Sequence, residues 1–146
     1  LYITAWYAAA NLDFPAGITA YREIILKYPT ETEAYWRLGN LLRGEEQFDE
    51  AVSILRQGLA IDPNFSSIHN SLGGLYSSLG KHAEAIAAHE RYVALVPDKP
   101  NAHDSLGLSY QWAGRYDEAI REFQKALSLK PDFEVAQIHL GNVYYQ

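Results

Sequence analysis

The chain has 146 residues, of which 48% are apolar and 21% charged, and it carries a formal net charge of −6. These proportions are those of a globular domain and exclude a disordered tail, while the acidic balance argues against nucleic-acid binding, which needs Lys and Arg to replace phosphate counterions. No Cys is present, which excludes disulfides and thiolate chemistry and favours a reducing compartment, so we expect a cytoplasmic location.

A period of 34 residues runs through the whole sequence. A Leu-Gly pair marks it at Leu38-Gly39, Leu72-Gly73, Leu106-Gly107 and Leu140-Gly141. Proline marks it again at Pro29, Pro63, Pro97 and Pro131. Small residues recur at the same spacing, at Gly17, Ala51, Ala85 and Ala119. Columns that agree on one period indicate a repeat protein, in which each unit is one supersecondary element.

Each period predicts two helices, because apolar residues recur at helical spacing and glycine or proline ends each run. In chain order, we expect helices over about 15–27, 31–43, 48–61, 64–79, 82–96, 100–113, 116–129 and 133–145. Thr30 and Glu33 have the spacing of a capping box at the start of the second of these helices. No apolar run approaches the ~18 residues of a membrane span, so we expect no membrane insertion.

The glycine of each Leu-Gly pair lies in the middle of a predicted helix, where glycine costs about 1 kcal/mol relative to alanine. Such a cost indicates that two helices approach closely at this point. The alanines Ala51, Ala85 and Ala119 of the second helix in each period are the expected facing partners. One such hairpin does not bury its apolar face alone, so successive hairpins are expected to stack.

These motifs resemble the tetratricopeptide repeat family. The resemblance is carried by Tyr35-Trp36-Arg37-Leu38-Gly39 and by Tyr116-Asp117-Glu118-Ala119-Ile120, with Phe123 and Pro131 at their usual places. It implies an all-α, right-handed superhelical solenoid of antiparallel hairpins. Over the chain it implies a single array: a partial repeat at 1–29, full repeats at 30–63, 64–97 and 98–131, and the first helix of a further or capping repeat at 132–146.

The resemblance also implies where a partner would bind. In this family the first helix of each hairpin lines a concave groove that grips an extended peptide or a helix. The corresponding positions here are Trp36, Asn40 and Arg43, then Asn70, Gly74 and Ser77, then Asp104, Leu108 and Gln111, and last Ile138, Asn142 and Tyr145. Trp36 suits an anchor, although an exposed tryptophan that packs on a missing neighbouring repeat is the alternative interpretation.

Two specialised functions of the family do not fit these residues. The carboxylate clamp of its chaperone co-factors needs cations, whereas its positions here hold Trp36, Asn40, Ser71, Asn101 and Ser105, and an anion site without cations loses its charge-assisted bonds. The asparagine ladder of its sugar-nucleotide transferases is replaced by Arg37, Ser71, Ser105 and His139.

Catalytic and metal motifs are weak throughout. His69 and His103 stand one period apart. Since packed helices lie about 8–10 Å apart, we expect these histidines to fill the core or an interface and not to share a metal. His82 and His89 are seven positions apart, too far for a pair of ligands on one helical turn. We therefore expect no catalytic residues, no cofactor and no metal, and interpret the protein as a non-enzyme.

The predicted function is a protein–protein interaction scaffold whose partner is a protein or peptide. Two alternatives stay open: a scaffold that self-associates through its terminal helices, and an accessory segment of an enzyme whose catalytic domain lies outside this chain. Because Met is absent and the first residues have the pattern of a helix interior, we expect the chain to be a piece of a longer polypeptide.

Overall fold

The computed structural model describes residues 2–3 and 13–145 of the protein; part of the predicted repeat at 1–29 therefore lies outside the described residues. Between residues 13 and 145 the structure consists of helices and short turns, with no strand. The helices are α1 (Phe14–Lys27), α2 (Thr32–Gly44), α3 (Phe48–Ile61), α4 (Ser66–Ser78), α5 (His82–Leu95), α6 (Pro100–Trp112), α7 (Tyr116–Leu129) and α8 (Glu134–Tyr144). The predicted all-α class is confirmed.

The turn inside each hairpin depends on one residue with positive φ. Gly80 and Gly114 adopt φ of 69° and 73°, and Glu46 takes the same role with φ of 60°. A backbone N–H then reaches back to the last turn of the helix: Gln47 to the Leu42 carbonyl, Lys81 to Tyr76 and Arg115 to Tyr110, at 2.8–2.9 Å. This is the bonding pattern of a Schellman stop, which satisfies carbonyls at the helix end.

The start of α2 differs from the sequence prediction. Its N-cap is Glu31, without a side-chain capping bond, so the predicted capping box of Thr30 and Glu33 is wrong. The helix begins one residue later than that motif requires, and Glu33 accepts hydrogen bonds from Arg37 at 2.6 and 2.8 Å. An ion pair one helical turn apart has replaced the reciprocal cap.

A repeated hydrogen bond fixes the turn that precedes each first helix. Six residues after each proline, a side chain donates to that proline's carbonyl oxygen. The pairs are Tyr35 with Pro29 (3.0 Å), His69 with Pro63 (2.9 Å), His103 with Pro97 (2.8 Å) and Gln137 with Pro131 (2.8 Å). Because a carbonyl only accepts, both histidines carry a proton on Nε2. The two histidines are therefore structural donors of the inter-repeat turn.

The chain divides into two compact units, Leu1–Ser71 and Leu72–Gln146, which are described separately. In the first unit, α1, α2 and α3 bury an apolar core that includes Tyr21, Ile24, Leu38, Leu42 and Leu55. In the second unit, α5 to α8 bury a cluster of Ile86, Leu106, Tyr110, Ala119, Phe123 and Val143. In both units, buried residues at helical spacing on facing helices form the core.

The mid-helix glycines leave room for one large side chain each. A Cβ added at Gly39 would lie 2.5 Å from Leu55, one at Gly73 2.3 Å from His89, and one at Gly107 2.6 Å from Phe123. The close approach predicted from the glycines is present. However, the nearest atoms belong to these large residues and not to the alanines expected as partners, which lie one helical turn earlier.

Candidate partner-binding site

A cleft in the second unit is lined by two neighbouring first helices. Leu108, Gln111 and Trp112 come from α6, and His139 and Asn142 come from α8. The cleft has a volume of about 420 Å³, within the range of sites that hold small ligands or short peptide segments. Spacings of three and four residues place the contributors from each helix on one side of that helix. The structure thus brings together three of the predicted contact residues: Leu108, Gln111 and Asn142.

Beside this cleft, Asp104 holds His139 in place. Asp104 is only 4% exposed. Its Oδ1 lies 2.9 Å from Nδ1 of His139. The His139 ring also packs against Phe123, with ring centroids 5.5 Å apart. With Nδ1–H donated to the carboxylate, a neutral imidazole keeps Nε2 as an acceptor. Asp104, predicted to face a partner directly, instead lies behind His139.

Two residues of the cleft were not among those predicted. Trp112 is 64% exposed. The sequence could have indicated that it lies beside Leu108, because a spacing of four residues returns to the same side of a helix. His139 stands 35 residues after Asp104, which is one period plus one residue. The same spacing links Trp36 and Ser71, so the pattern repeats along the chain.

In the first unit, Trp36 belongs to a closed ring of hydrogen bonds. Its Nε1 donates to Ser71 Oγ at 3.1 Å, Ser71 Oγ donates to Asn40 Oδ1 at 3.1 Å, and Asn40 Nδ2 donates to the Trp36 carbonyl at 2.9 Å. The indole also lies against Phe65, with ring centroids 6.3 Å apart, and under the guanidinium of Arg37. Trp36 is half-buried and packs on a helix of this chain, and not on a missing neighbouring repeat as the alternative interpretation expected.

The other predicted contact residues lie at varied depths. Arg43, Ile138 and Tyr145 are exposed, whereas Asn70, Gly74 and Ser77 are partly buried. Ile138 and Tyr145 lie on α8 or directly after it, outside the residues that line the cleft. Binding of a partner by these residues stays a prediction.

The buried histidines bond to protein groups. His89 Nδ1 lies 2.7 Å from Ser109 Oγ, and His103 lies between Glu122 Oε2 at 2.7 Å and the Pro97 carbonyl. Within residues 2–3 and 13–145, no three His, Asp or Glu side chains are grouped to hold a metal. None of the helices described above is long and apolar enough to cross a membrane.

Stacked helical hairpins with a cleft between successive first helices define an α-helical repeat protein. Three models of tetratricopeptide repeats match the sequence: one described as "TPR repeat" over 113–146 and two described as "Tetratricopeptide repeat" over 42–107 and 4–64. The chain belongs to the tetratricopeptide repeat family. Among curated proteins, none matches the sequence significantly.

Solved structures share this fold. MamA is 26% identical to the chain with a TM-score of 0.88, and the match covers 97% of this chain and 82% of MamA. TTC0263, a thermophilic TPR protein of Thermus thermophilus, is 21% identical with a TM-score of 0.82, covering 97% and 78%. YrrB, described as a TPR protein with an unusual peptide-binding site, is 17% identical with a TM-score of 0.83, covering 94% and 71%.

The family and the shared fold establish the general role. The protein is a TPR solenoid and a protein-interaction scaffold, as the sequence predicted. The family is one of non-catalytic scaffolds, which leaves the surface used for the partner as the functional question.

Proposed function

We propose that the protein binds an extended segment of a partner protein in the cleft between α6 and α8, with no catalytic chemistry of its own. The observation that carries this proposal is the convergence of Leu108, Gln111 and Asn142 on one cleft beside an exposed tryptophan, Trp112. An exposed aromatic beside amide side chains is a typical composition for a binding surface.

The chemistry of the cleft fits a peptide main chain. Gln111 and Asn142 each offer an amide that donates and accepts, so together they match the N–H and C=O groups of an extended backbone. Leu108 and the Trp112 ring supply apolar surface for a side chain between those bonds. His139, oriented by Asp104, adds a polar group whose position is fixed before binding, which lowers the entropy lost on association.

The shared fold supports the same class of ligand. YrrB is described as a TPR protein with an unusual peptide-binding site, which supports a peptide as the class of ligand. The net charge of −6 favours a protein partner over nucleic acid, because an acidic protein repels phosphates instead of neutralising them.

Selection of peptides on the intact chain tests the proposal. Random 12-residue peptides displayed on phage would be selected against the protein, and the selected peptides labelled and titrated by fluorescence anisotropy. We expect binding that Trp112→Ala weakens by about tenfold or more, since a buried aromatic anchor contributes about 2 kcal/mol. Gln111→Ala is expected to weaken it by a smaller factor, because one hydrogen bond contributes about 1 kcal/mol.

The matched control is Gln124→Ala, which removes an exposed glutamine from α7 and should leave peptide affinity unchanged. Peptides that bind the Trp112→Ala, Asn142→Ala double variant as tightly as the original protein would show that they use another surface. That outcome, or a selection without any saturable binder, would contradict the proposal.

A further inference from the structure

The cleft between α6 and α8 presents hydrogen-bond acceptors and an aromatic face. None of the five side chains that the structure describes around it is a Lys, Arg, Asp or Glu: Leu108, Gln111, Trp112, His139 and Asn142. Gln111 and Asn142 each offer an amide oxygen as an acceptor. The Trp112 ring is largely exposed, and the face of an aromatic ring carries the negative part of its quadrupole. Each of these groups can receive a positively charged donor.

A negative charge lies directly behind the cleft. The Asp104 carboxylate is 4% exposed and lies 2.9 Å from Nδ1 of His139. Within residues 13–145 it forms no ion pair with a Lys or Arg, and its partner is His139. Because Asp104 uses Nδ1, Nε2 is the ring nitrogen left for a ligand, and in a neutral imidazole it accepts. A buried charge is weakly screened by solvent, so Asp104 attracts a cation placed in the cleft.

This side of a first helix stays accessible where further hairpins follow it. Three residues of α4 stand one period before the α6 residues of the cleft: Gly74, Ser77 and Ser78. Gly74 and Ser77 keep part of their exposure and Ser78 is exposed, although α5 to α8 follow them in the chain. A hairpin added after a first helix thus leaves this side open to a ligand.

We infer that the cleft between α6 and α8 selects a partner segment that carries a Lys or Arg side chain. The inference rests on the proposed function and adds the chemical class of its ligand. The cation lies over the Trp112 ring, where it gains a cation–π attraction, and donates to His139 Nε2 and to the amide oxygens beside it. The net charge of −6 also attracts a basic segment at long range.

An acidic segment is the alternative ligand. A protonated His139 would donate from Nε2, and the pair with Asp104 would then suit a carboxylate. However, a ligand carboxylate would lie near the buried carboxylate of Asp104, and like charges at short range repel each other. A basic side chain avoids this repulsion and leaves the His139 ring neutral, which is why we favour it.

Matched peptides separate these ligands. The 12-residue peptides selected on the intact protein are expected to be enriched in Lys and Arg. Each would be labelled with fluorescein and made in three forms, with its basic residue kept, replaced by Gln or replaced by Glu. Fluorescence anisotropy with the intact protein gives the three Kd values. We expect the Gln form to bind at least about tenfold more weakly than the basic form, and the Glu form more weakly still.

Protein variants identify the source of this preference. Asp104→Asn removes the charge, while the Asn oxygen still accepts from His139; the Kd ratio of the Gln form to the basic form should fall by about fivefold or more. Asp98→Asn is the matched control, because it makes the same change at an exposed residue of the turn before α6, and it should leave the ratio unchanged.

Trp112→Leu tests the aromatic face independently. Trp112 is largely exposed, so the substitution leaves the core intact, and leucine keeps apolar surface at this position. The Kd ratio should fall by about threefold or more, because the cation–π attraction is lost. Circular dichroism checks that each variant is folded, and Trp112→Leu decides alone if Asp104→Asn is not.

The outcomes separate the inference from the proposed function. Selected peptides that bind equally well in all three forms, or most tightly in the Glu form, would overturn the inference and leave the proposed function standing. A preference for the basic form that a folded Asp104→Asn or Trp112→Leu protein retains in full would do the same. A selection without any saturable binder would contradict the proposed function, and the inference would fall with it.

Discussion

At the scale of single residues, Tyr110 shows how packing changes the chemistry of a side chain. It is 8% exposed, its hydroxyl donates to Glu90 Oε1 at 2.8 Å, and the Arg115 guanidinium lies over its ring. Burial, followed by the hydrogen bond and the charge of Glu90, raises the pKa of Tyr110 from 10.0 to about 12. Each of these effects opposes formation of a phenolate next to a carboxylate.

This raised pKa predicts a loss of stability in alkali. The unfolded chain releases the Tyr110 proton near pH 10, whereas the folded protein holds it to about pH 12, so the stabilisation is complete below pH 10 and falls as pH rises from 10 to 12. Its upper limit is about 2–3 kcal/mol, because one pKa unit corresponds to about 1.4 kcal/mol.

Tyr110→Phe isolates the effect, because phenylalanine has no hydroxyl proton to release. The free energy of unfolding of this variant therefore lacks the pH-dependent contribution of position 110. Urea denaturation of both proteins at several pH values should show the original protein more stable at pH 9, with the difference shrinking towards pH 12. A difference that stays constant over this range would show that the hydroxyl does not titrate as described.

Four side chains that donate to a proline carbonyl were not recognised from the sequence as a repeated feature: Tyr35, His69, His103 and Gln137. The four side chains differ in volume and class, so the sequence predicted only core or interface filling at the two histidines. What they share is a donor near the end of the side chain, and its acceptor is a backbone carbonyl six residues earlier. Such an acceptor has no side-chain signature, and it becomes visible only with the turn geometry.

At the scale of helices, local signals determined most of the boundaries. The predicted ranges for α3 and α7 match the structure, because glycine or polar turns precede these helices and proline follows them closely. The ends of the other helices match or differ by one or two residues, which is the ordinary fraying of helix termini. The identity of the side chain above each glycine was not predictable from period alone, because residues one helical turn apart share the same helix face.

The glycines of α6 and α8 predict opposite effects on stability when a side chain is added. Gly107→Leu forces a side chain into Phe123, because even the new Cβ would lie 2.6 Å from the nearest ring atom. The overpacking should lower the free energy of unfolding by about 1–3 kcal/mol or more. Gly141→Ala meets open space and should stabilise α8 by about 0.5–1 kcal/mol, because alanine is the better helix former.

Thermal and urea unfolding of the two variants would measure both effects. The informative comparison is Gly107→Ala with Gly141→Ala, in which the added atom is the same and only the surroundings differ. Equal effects of the two alanines on the midpoint would mean that Phe123 moves aside freely and that the close helix approach is unimportant.

At the scale of the whole molecule, the repeat motifs and the family resemblance that they carry implied an all-α TPR solenoid, which the family matches and the structure confirm. The site was predicted less completely. Leu108, Gln111 and Asn142 line the cleft, and their contact with a partner stays a prediction; Asp104 lies beneath His139, and Trp36 packs against Ser71 and Phe65. Helix periodicity gives the side that a residue faces; its exposure depends on the size and polarity of neighbours one period away.

Unequal burial along the second unit predicts unequal local stability. Seven residues of α6 are buried, from Ala102 to Tyr110, whereas α8 buries only Ala136 and Val143. In a repeat protein each helix is stabilised chiefly by its neighbours, so a helix that is covered on one side opens more readily than one covered on both. Amide hydrogen exchange reports the free energy of these openings residue by residue.

We therefore expect amides in the middle of α8 to exchange at least about tenfold faster than those in the middle of α6, a difference of about 1.4 kcal/mol in opening free energy. The measurement is hydrogen–deuterium exchange by NMR on the intact protein at neutral pH. The amides of α7, which packs between α6 and α8, serve as the internal reference and should resemble α6. Equal protection in α6 and α8 would show that the second unit opens as one cooperative body, in which case the exposed face of α8 does not weaken the helix that carries it.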